Sequence, residues 1–281
     1  MSRRAFLISC VAAALLAGAP ALAAEPFKPT RISVTIRGSG PDVILVPGLA
    51  APRSVWNSTV AAVPGYRYHL VQVLGFAGTP AGGNASGPVA APVADEIARY
   101  IRAQGLNRPA MVGHSMGGSI ALMVAARHPG VVGKAMVVDM VPAASRIGGF
   151  SAPAVRPFAK LIGREYGGID RIRRELHSIA GRFGNADWLA SNNDAGVVGR
   201  SIEELIATDL TPELPRIRVP LTVVYACPEP LALSRPRIDR FYAAAYARRP
   251  GARLVAIPKS GHTIMADQPA AFQNALKAFL R

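Results

Sequence analysis

The stretch AMVGHSMGGSIAL, residues 110–122, decides the fold. It begins as a short apolar run that stops at Gly113, and it continues after Gly117 as an apolar segment with helical spacing. Ser115 stands between these glycines, where a strand gives way to a helix. G-x-S-x-G at such a junction is typical of a sharp turn that exposes a serine hydroxyl, because a side chain at either glycine would obstruct the turn. Ser115 is therefore the candidate nucleophile.

Strand-like and helix-like segments alternate on both sides of this stretch. An alternating run, RISVTIRG, comes first, and continuous apolar runs typical of strands buried on both faces follow. These runs are VILVPG, YHLVQVL, PAMVG, KAMVVDM, PLTVVYA and ARLVAIP. Such alternation predicts an α/β fold with a mostly parallel, doubly wound sheet and helices on both of its faces.

One long segment interrupts the alternation. Residues 142–219 contain no strand-like run, and their apolar residues recur at helical spacing in AVRPFAKLIG, GGIDRIRRELHSIAG and SIEELIATDL. We therefore predict a helical cap at 142–219, inserted into a core formed by residues 24–141 and 220–281.

The amino-terminal residues 1–23 have the layout of a secretory signal peptide. Two arginines precede a short apolar run, and Ala-Leu-Ala at 21–23 fits a cleavage site. The expected location is periplasmic or secreted, with no membrane span after cleavage. SRRAFL also resembles a twin-arginine export signal, so the export route stays open. Cleavage would leave Cys227 as the one cysteine, which excludes an intramolecular disulfide.

The chain is strongly basic, with a formal net charge of +15. The basic residues are spread along the chain without an arginine stripe interleaved with aromatic residues, so a nucleic-acid partner is not expected. The spacing of His and carboxylate residues predicts no metal site, and no glycine-rich loop has the context of a nucleotide site. No cofactor is expected, and the oligomeric state cannot be derived from the sequence.

A serine nucleophile needs a base, and five histidines are available. They are His69, His114, His128, His177 and His262. His262 follows the last predicted strand, in a loop that can reach back to Ser115, and we predict it to be the base. The His114 side chain is expected to point away from the site.

Four motifs together resemble the α/β-hydrolase superfamily, in its lipase, esterase and haloperoxidase-like branch with a helical cap. They are VILVPGLAAPRSVW, GFAGTP, GHSMGG and SGHTIMADQPAAF, which lie between residues 43 and 272. The resemblance implies an oxyanion hole formed by the backbone N–H groups of Leu49 and Met116. It also implies the chain order serine, acid, histidine.

The identity of the acid stays open at this point. The family usually places an aspartate after the strand that follows the cap, and VVYACPEP has Glu229 near that place. Asp139, at the end of the preceding strand, is the alternative. We interpret Asp267 as a cap of the last helix.

These residues predict an enzyme that hydrolyses a carboxylic ester or lactone of a small or medium uncharged acyl or aryl substrate. Ser115, His262 and Glu229 would form its triad. The alternatives are acyl transfer, cofactor-free perhydrolysis or carbon–carbon bond hydrolysis by the same triad, and a non-catalytic protein that binds a ligand under the cap.

Overall fold

The computed structural model describes residues 27–148, 192–228 and 235–281. The predicted signal peptide, 1–23, lies outside the described residues. So do residues 149–191 of the predicted cap, which include His177, and so does Glu229.

A seven-stranded sheet forms the centre of the described chain. Its strands are β1 (Ile32–Arg37), β2 (Asp42–Val46), β3 (Arg67–Val73), β4 (Ala110–His114), β5 (Lys134–Val138), β6 (Leu221–Cys227) and β7 (Arg253–Pro258). They are ordered β1-β3-β2-β4-β5-β6-β7. β1 is antiparallel to β3, and every other pairing is parallel. The predicted α/β fold with a mostly parallel sheet is confirmed.

Helices cover both faces of this sheet, which explains the continuous apolar strands. The described helices are α1 (Asn57–Ala62), α2 (Ala90–Ala103), α3 (Met116–Arg127), α4 (Ala195–Ala207), α5 (Arg235–Ala245), α6 (Ile264–Asp267) and α7 (Pro269–Leu280). Along β2, Ile44 belongs to a core cluster with α2 and α3, whereas Leu45 belongs to a second cluster with α7. Because successive side chains point to opposite faces, a strand that is covered on both faces has apolar residues at successive positions.

Helix α4 begins earlier than the sequence pattern predicts. We expected a helix over 201–210, and the structure has it over Ala195–Ala207. Asp194 caps its amino terminus by accepting a hydrogen bond from the Val197 N–H at 2.9 Å. The pattern missed this start because the first turn contains glycine and valine, which are weak helix formers.

A half-buried carboxylate, that of Glu204, attaches α4 to α2. Glu204 accepts hydrogen bonds from the backbone N–H groups of Val89, Ala90 and Ala91, at 2.6 to 2.8 Å. These N–H groups lie at the start of α2, where a helix has unpaired donors and positive potential. Helix α4 is therefore held against the start of α2.

A second carboxylate, Glu96, anchors the chain entering β1. It is fully buried, and one of its oxygens accepts the backbone N–H groups of Thr30, Arg31 and Ile32 at 2.6 to 3.1 Å. Its other oxygen accepts from the Thr30 hydroxyl and from Arg99. An uncharged group at this place would be a weaker acceptor for all of these donors.

We therefore expect Glu96→Gln to lower the free energy of unfolding by about 2 kcal/mol, because hydrogen bonds to a charged acceptor become bonds to a neutral one. Urea unfolding followed by circular dichroism measures the change. Asp95→Asn on the same helix is the control, since the Asp95 side chain is 60% exposed and pairs with His128 at the surface. Equal midpoints for the two variants would contradict the anchoring role.

Candidate active site

Ser115 lies at the sharp turn between β4 and α3. Its backbone has φ 53° and ψ −121°, in the region that L residues rarely adopt. Its N–H donates to the Val138 carbonyl of the neighbouring strand at 2.9 Å, which holds the turn in place. Strained backbone of this kind is concentrated at functional sites.

The two flanking glycines make this turn possible. A Cβ at Gly113 would overlap the carbonyl oxygen of Gly117, and a Cβ at Gly117 would overlap the carbonyl oxygen of Val46. Both obstructing groups are backbone, which cannot rotate away. The turn therefore excludes any other residue at either position.

His262 lies in the loop between β7 and α6 and pairs with Asp139. Its Nδ1 lies 2.7 Å from Oδ2 of Asp139, and its side chain is 27% exposed. With an ionised carboxylate as the partner, the proton is assigned to Nδ1. That tautomer leaves Nε2 as a proton acceptor for an alcohol.

Asp139 lies just after β5, and hydrogen bonds hold both its backbone and its side chain. Its φ of 51° is again in the left-handed region, and its N–H donates to the Val224 carbonyl. Its second oxygen, Oδ1, accepts the Ala226 N–H at 2.9 Å and the Tyr242 hydroxyl at 2.8 Å. Both carboxylate oxygens are therefore committed, one to His262 and one to the protein behind it.

These contacts decide the charge of Asp139. Burial by itself would raise the pKa of the Asp139 carboxyl, but the hydrogen bonds from His262, Ala226 and Tyr242 outweigh burial and lower that pKa. Asp139 is thus a largely buried anion that faces an imidazole. Glu229, the acid expected from the sequence, lies outside the described residues, and the carboxylate observed on Nδ1 is that of the alternative, Asp139.

His114 is a site residue that the sequence analysis placed wrongly. We expected its side chain to point away, but its ring lies 4.8 Å from that of His262, between ring centres. Burial, reinforced by His262, lowers the pKa of His114 to about 3, so the ring is neutral. Its Nε2 lies 2.8 Å from the His262 carbonyl oxygen and must donate to it. His114 therefore tethers the His262 loop beside the Ser115 turn.

The loop after β2 lies against the serine turn. A Cβ at Gly48 would lie 3.1 Å from the Cβ of Ser115, so the backbone of this loop passes directly beside the serine. Leu49 follows in the loop, and Met116 is the first residue of α3. Among the described residues, neither the Leu49 N–H nor the Met116 N–H has a hydrogen-bond acceptor. Two donors are thus available beside Ser115.

Buried Gln72 on β3 holds this loop, a role that the sequence analysis missed. The Gln72 Oε1 accepts the Arg53 N–H at 2.8 Å, and its Nε2 donates to the Ala51 carbonyl at 3.3 Å. The Arg53 guanidinium donates to the hydroxyls of Ser33 and Thr35 on β1. The loop is therefore attached to two strands.

Asp267 has a different contact from the one expected. We interpreted it as a cap of the last helix, and its carboxylate accepts the Gly261 N–H at 2.9 Å. Gly261 directly precedes His262, so this bond shapes the histidine loop. The last helix starts after Gln268, whose side chain makes no capping hydrogen bond.

In the parts of the chain that the structure describes, no group of three or more His, Cys, Asp or Glu side chains could hold a metal ion. Within these same segments, no helix has the length and apolar character needed to cross a membrane.

The chain is similar in sequence to known proteins. A model of the alpha/beta hydrolase family matches residues 43–275. The pimeloyl-[acyl-carrier protein] methyl ester esterase of Aeromonas hydrophila subsp. hydrophila is 25% identical over 270 residues, which cover 89% of this chain and 99% of the esterase.

Two solved structures share the fold. A thermophilic esterase from Thermogutta terrifontis has a TM-score of 0.73 at 20% identity and covers 89% of this chain and 93% of its own. The enol-lactonase from Burkholderia xenovorans LB400 has a TM-score of 0.69 at 21% identity and covers 89% of this chain and 96% of its own. At these identities, the likeness is one of fold.

Proposed function

The chain belongs to the alpha/beta hydrolase family, and from this premise we propose that it is a serine hydrolase that cleaves carboxylic esters or lactones. The observation that carries the proposal is the Asp139–His262 pair, tethered through His114 beside the strained turn of Ser115. A nucleophile, a base and an orienting carboxylate are the groups that acyl transfer to water requires.

The proposed reaction begins with attack of the Ser115 Oγ on the ester carbonyl carbon. Nε2 of His262 takes the hydroxyl proton as the bond forms, and Asp139 stabilises the resulting imidazolium. The backbone N–H groups of Leu49 and Met116 donate to the oxyanion of the tetrahedral intermediate. The imidazolium then returns its proton to the departing alkoxide, which leaves an acyl-serine and a free alcohol.

The second half repeats these steps with water. Nε2 of His262 takes a proton from water, and the hydroxide oxygen bonds to the acyl carbon. Collapse of the second intermediate breaks the bond to Ser115, which recovers its proton from the imidazolium. The products are the carboxylic acid and the unchanged enzyme.

We assign the acid role to Asp139 rather than to Glu229. Nδ1 of an imidazole carries one proton and forms one strong hydrogen bond, and Asp139 Oδ2 occupies that position at 2.7 Å. The left-handed backbone of Asp139 supports the assignment, because strain is retained where it serves a site.

The similarity to named relatives supports the substrate class. The Aeromonas relative is named for a methyl ester, and the similar Burkholderia protein is an enol-lactonase. In a methyl ester and in an enol lactone, the acyl carbon is bonded to an alkoxy or an enol oxygen. Hydrolysis breaks this bond in both. The proposed substrate is therefore a small or medium acyl or aryl ester, or a lactone.

A p-nitrophenyl ester series from acetyl to palmitoyl tests this function. We expect turnover with an optimum of kcat/KM among the short and medium chains, and labelling by a fluorophosphonate on the peptide that contains Ser115. Product analysis with an added alcohol distinguishes hydrolysis from acyl transfer. Absence of both turnover and labelling would overturn the enzyme proposal in favour of ligand binding alone.

A further inference from the structure

Two tyrosines, one on α5 and one just after it, reach the loop that contains Asp139. Tyr242 lies on α5, and Tyr246 lies one turn later, just after the helix ends. The Tyr242 hydroxyl donates to Oδ1 of Asp139 at 2.8 Å, and the Tyr246 hydroxyl donates to the carbonyl oxygen of Met140 at 2.7 Å. One contacts the carboxylate, and the other contacts the next residue's backbone.

We propose that Tyr242 is a positioning residue for catalysis, whose hydroxyl fixes the rotation of the Asp139 carboxylate so that Oδ2 faces His262. This inference rests on the proposed function, because it concerns the same pair of residues. The carboxylate has one torsion that decides which oxygen faces the imidazole. The Ala226 N–H and the Tyr242 hydroxyl both hold Oδ1, and together they stop that rotation.

The surroundings of Tyr242 make its hydroxyl a fixed donor. The residue is 7% exposed, and its ring stacks on that of Tyr225 with centres 4.2 Å apart and planes inclined by 16°. The Tyr225 hydroxyl in turn donates to Asp239 at 2.7 Å. Burial, together with the neighbouring Asp139 charge, raises the pKa of Tyr242 well above its ordinary value, so the hydroxyl keeps its proton.

Removal of this donor would also change the charge that His262 experiences. Among the described residues, the other titratable groups that interact with the Asp139 carboxylate are His262, His114, Tyr246 and Cys227. A donor on Oδ1 disperses part of the negative charge of the carboxylate. Without it, more of the charge resides on Oδ2, the oxygen that faces Nδ1 of His262. Such a change is expected to shift the pH profile of the reaction at Ser115.

Tyr242→Phe tests the inference, with Tyr246→Phe as the matched control. Both variants remove a buried hydroxyl and one hydrogen bond at this end of α5, but only the first removes a bond to the carboxylate. The rate of fluorophosphonate labelling of Ser115 is measured from pH 5 to pH 9. This measurement needs no knowledge of the substrate.

For Tyr242→Phe we expect labelling about tenfold slower, as for a weakened hydrogen bond to a charged group. We also expect the acid limb of the profile to move by about half a pH unit. The control is expected to keep its acid limb at the position of the parent.

Two results would overturn the inference, and they are distinguishable. Acid limbs that coincide in the parent and in Tyr242→Phe would show that Tyr242 is a packing residue, while the proposed function stands. A parent that is not labelled at any pH would overturn the proposed function and this inference together.

Discussion

Ser115→Ala is expected to lower kcat/KM for ester hydrolysis by about 10⁵-fold and to abolish fluorophosphonate labelling. Alanine removes the one oxygen that forms the acyl bond and leaves the rest of the site intact. Because alanine has a Cβ as serine does, the strain at φ 53° is the same in both chains, and the fold should persist. Hydrolysis of the best p-nitrophenyl ester, with thermal unfolding of each protein, measures both effects.

Ser119→Ala is the matched control for this variant. Ser119 lies one turn along α3 and is buried, and its N–H donates to the Ser115 carbonyl. The Ser119 side chain takes no part in the proposed reaction. We therefore expect kcat/KM of the Ser119→Ala variant to stay near that of the parent. If Ser115→Ala were as active as Ser119→Ala, another group would have to attack the ester, and the proposed mechanism would be wrong.

The strands of the sheet could be predicted because each one is marked by a short run of neighbouring residues. Strands buried on both faces need continuous apolar runs, and the runs around Ile44 and Val137 correspond to β2 and β5. The turn at Ser115 could be predicted for a similar reason, since the two glycines that it requires are close in sequence. Local pattern therefore located the carboxyl edge of the sheet, where the site lies.

The acid could not be derived in this way, because its position depends on contacts between distant parts of the chain. Asp139 follows β5 and Glu229 follows β6, and these strands are neighbours in the sheet. Strand order alone therefore does not decide which of the two carboxyls pairs with His262. The observed pairing depends on the left-handed backbone of Asp139 and on Tyr242, which is 103 residues away along the chain.

His114 and Gln72 were missed for the same reason. Each is a polar residue within a buried strand, where the sequence pattern predicts only packing. Their partners, the His262 carbonyl and the loop around Ala51, come close only when the sheet has formed. A buried polar side chain needs a hydrogen-bond partner, so its presence in an apolar strand is the available signal.

Substitution of Asp139 is also expected to lower kcat/KM strongly. We predict that Asp139→Asn lowers kcat/KM by about 10⁴-fold, whereas Glu229→Gln leaves it within about threefold of the parent. Both changes remove a charge and keep the size of the side chain, so they are a matched pair. Steady-state kinetics on the same ester measures them, and thermal unfolding verifies that both variants are folded.

The hydrogen bonds behind Asp139 explain why the amide should be so harmful. The Ala226 N–H and the Tyr242 hydroxyl both donate to Oδ1, so the asparagine oxygen must stay at that position. Its NH₂ group then replaces Oδ2 and donates toward Nδ1 of His262. The imidazole must respond by carrying its proton on Nε2, and it can no longer take a proton from Ser115. The reverse ranking, with Glu229→Gln as the inactive variant, would transfer the acid role to Glu229.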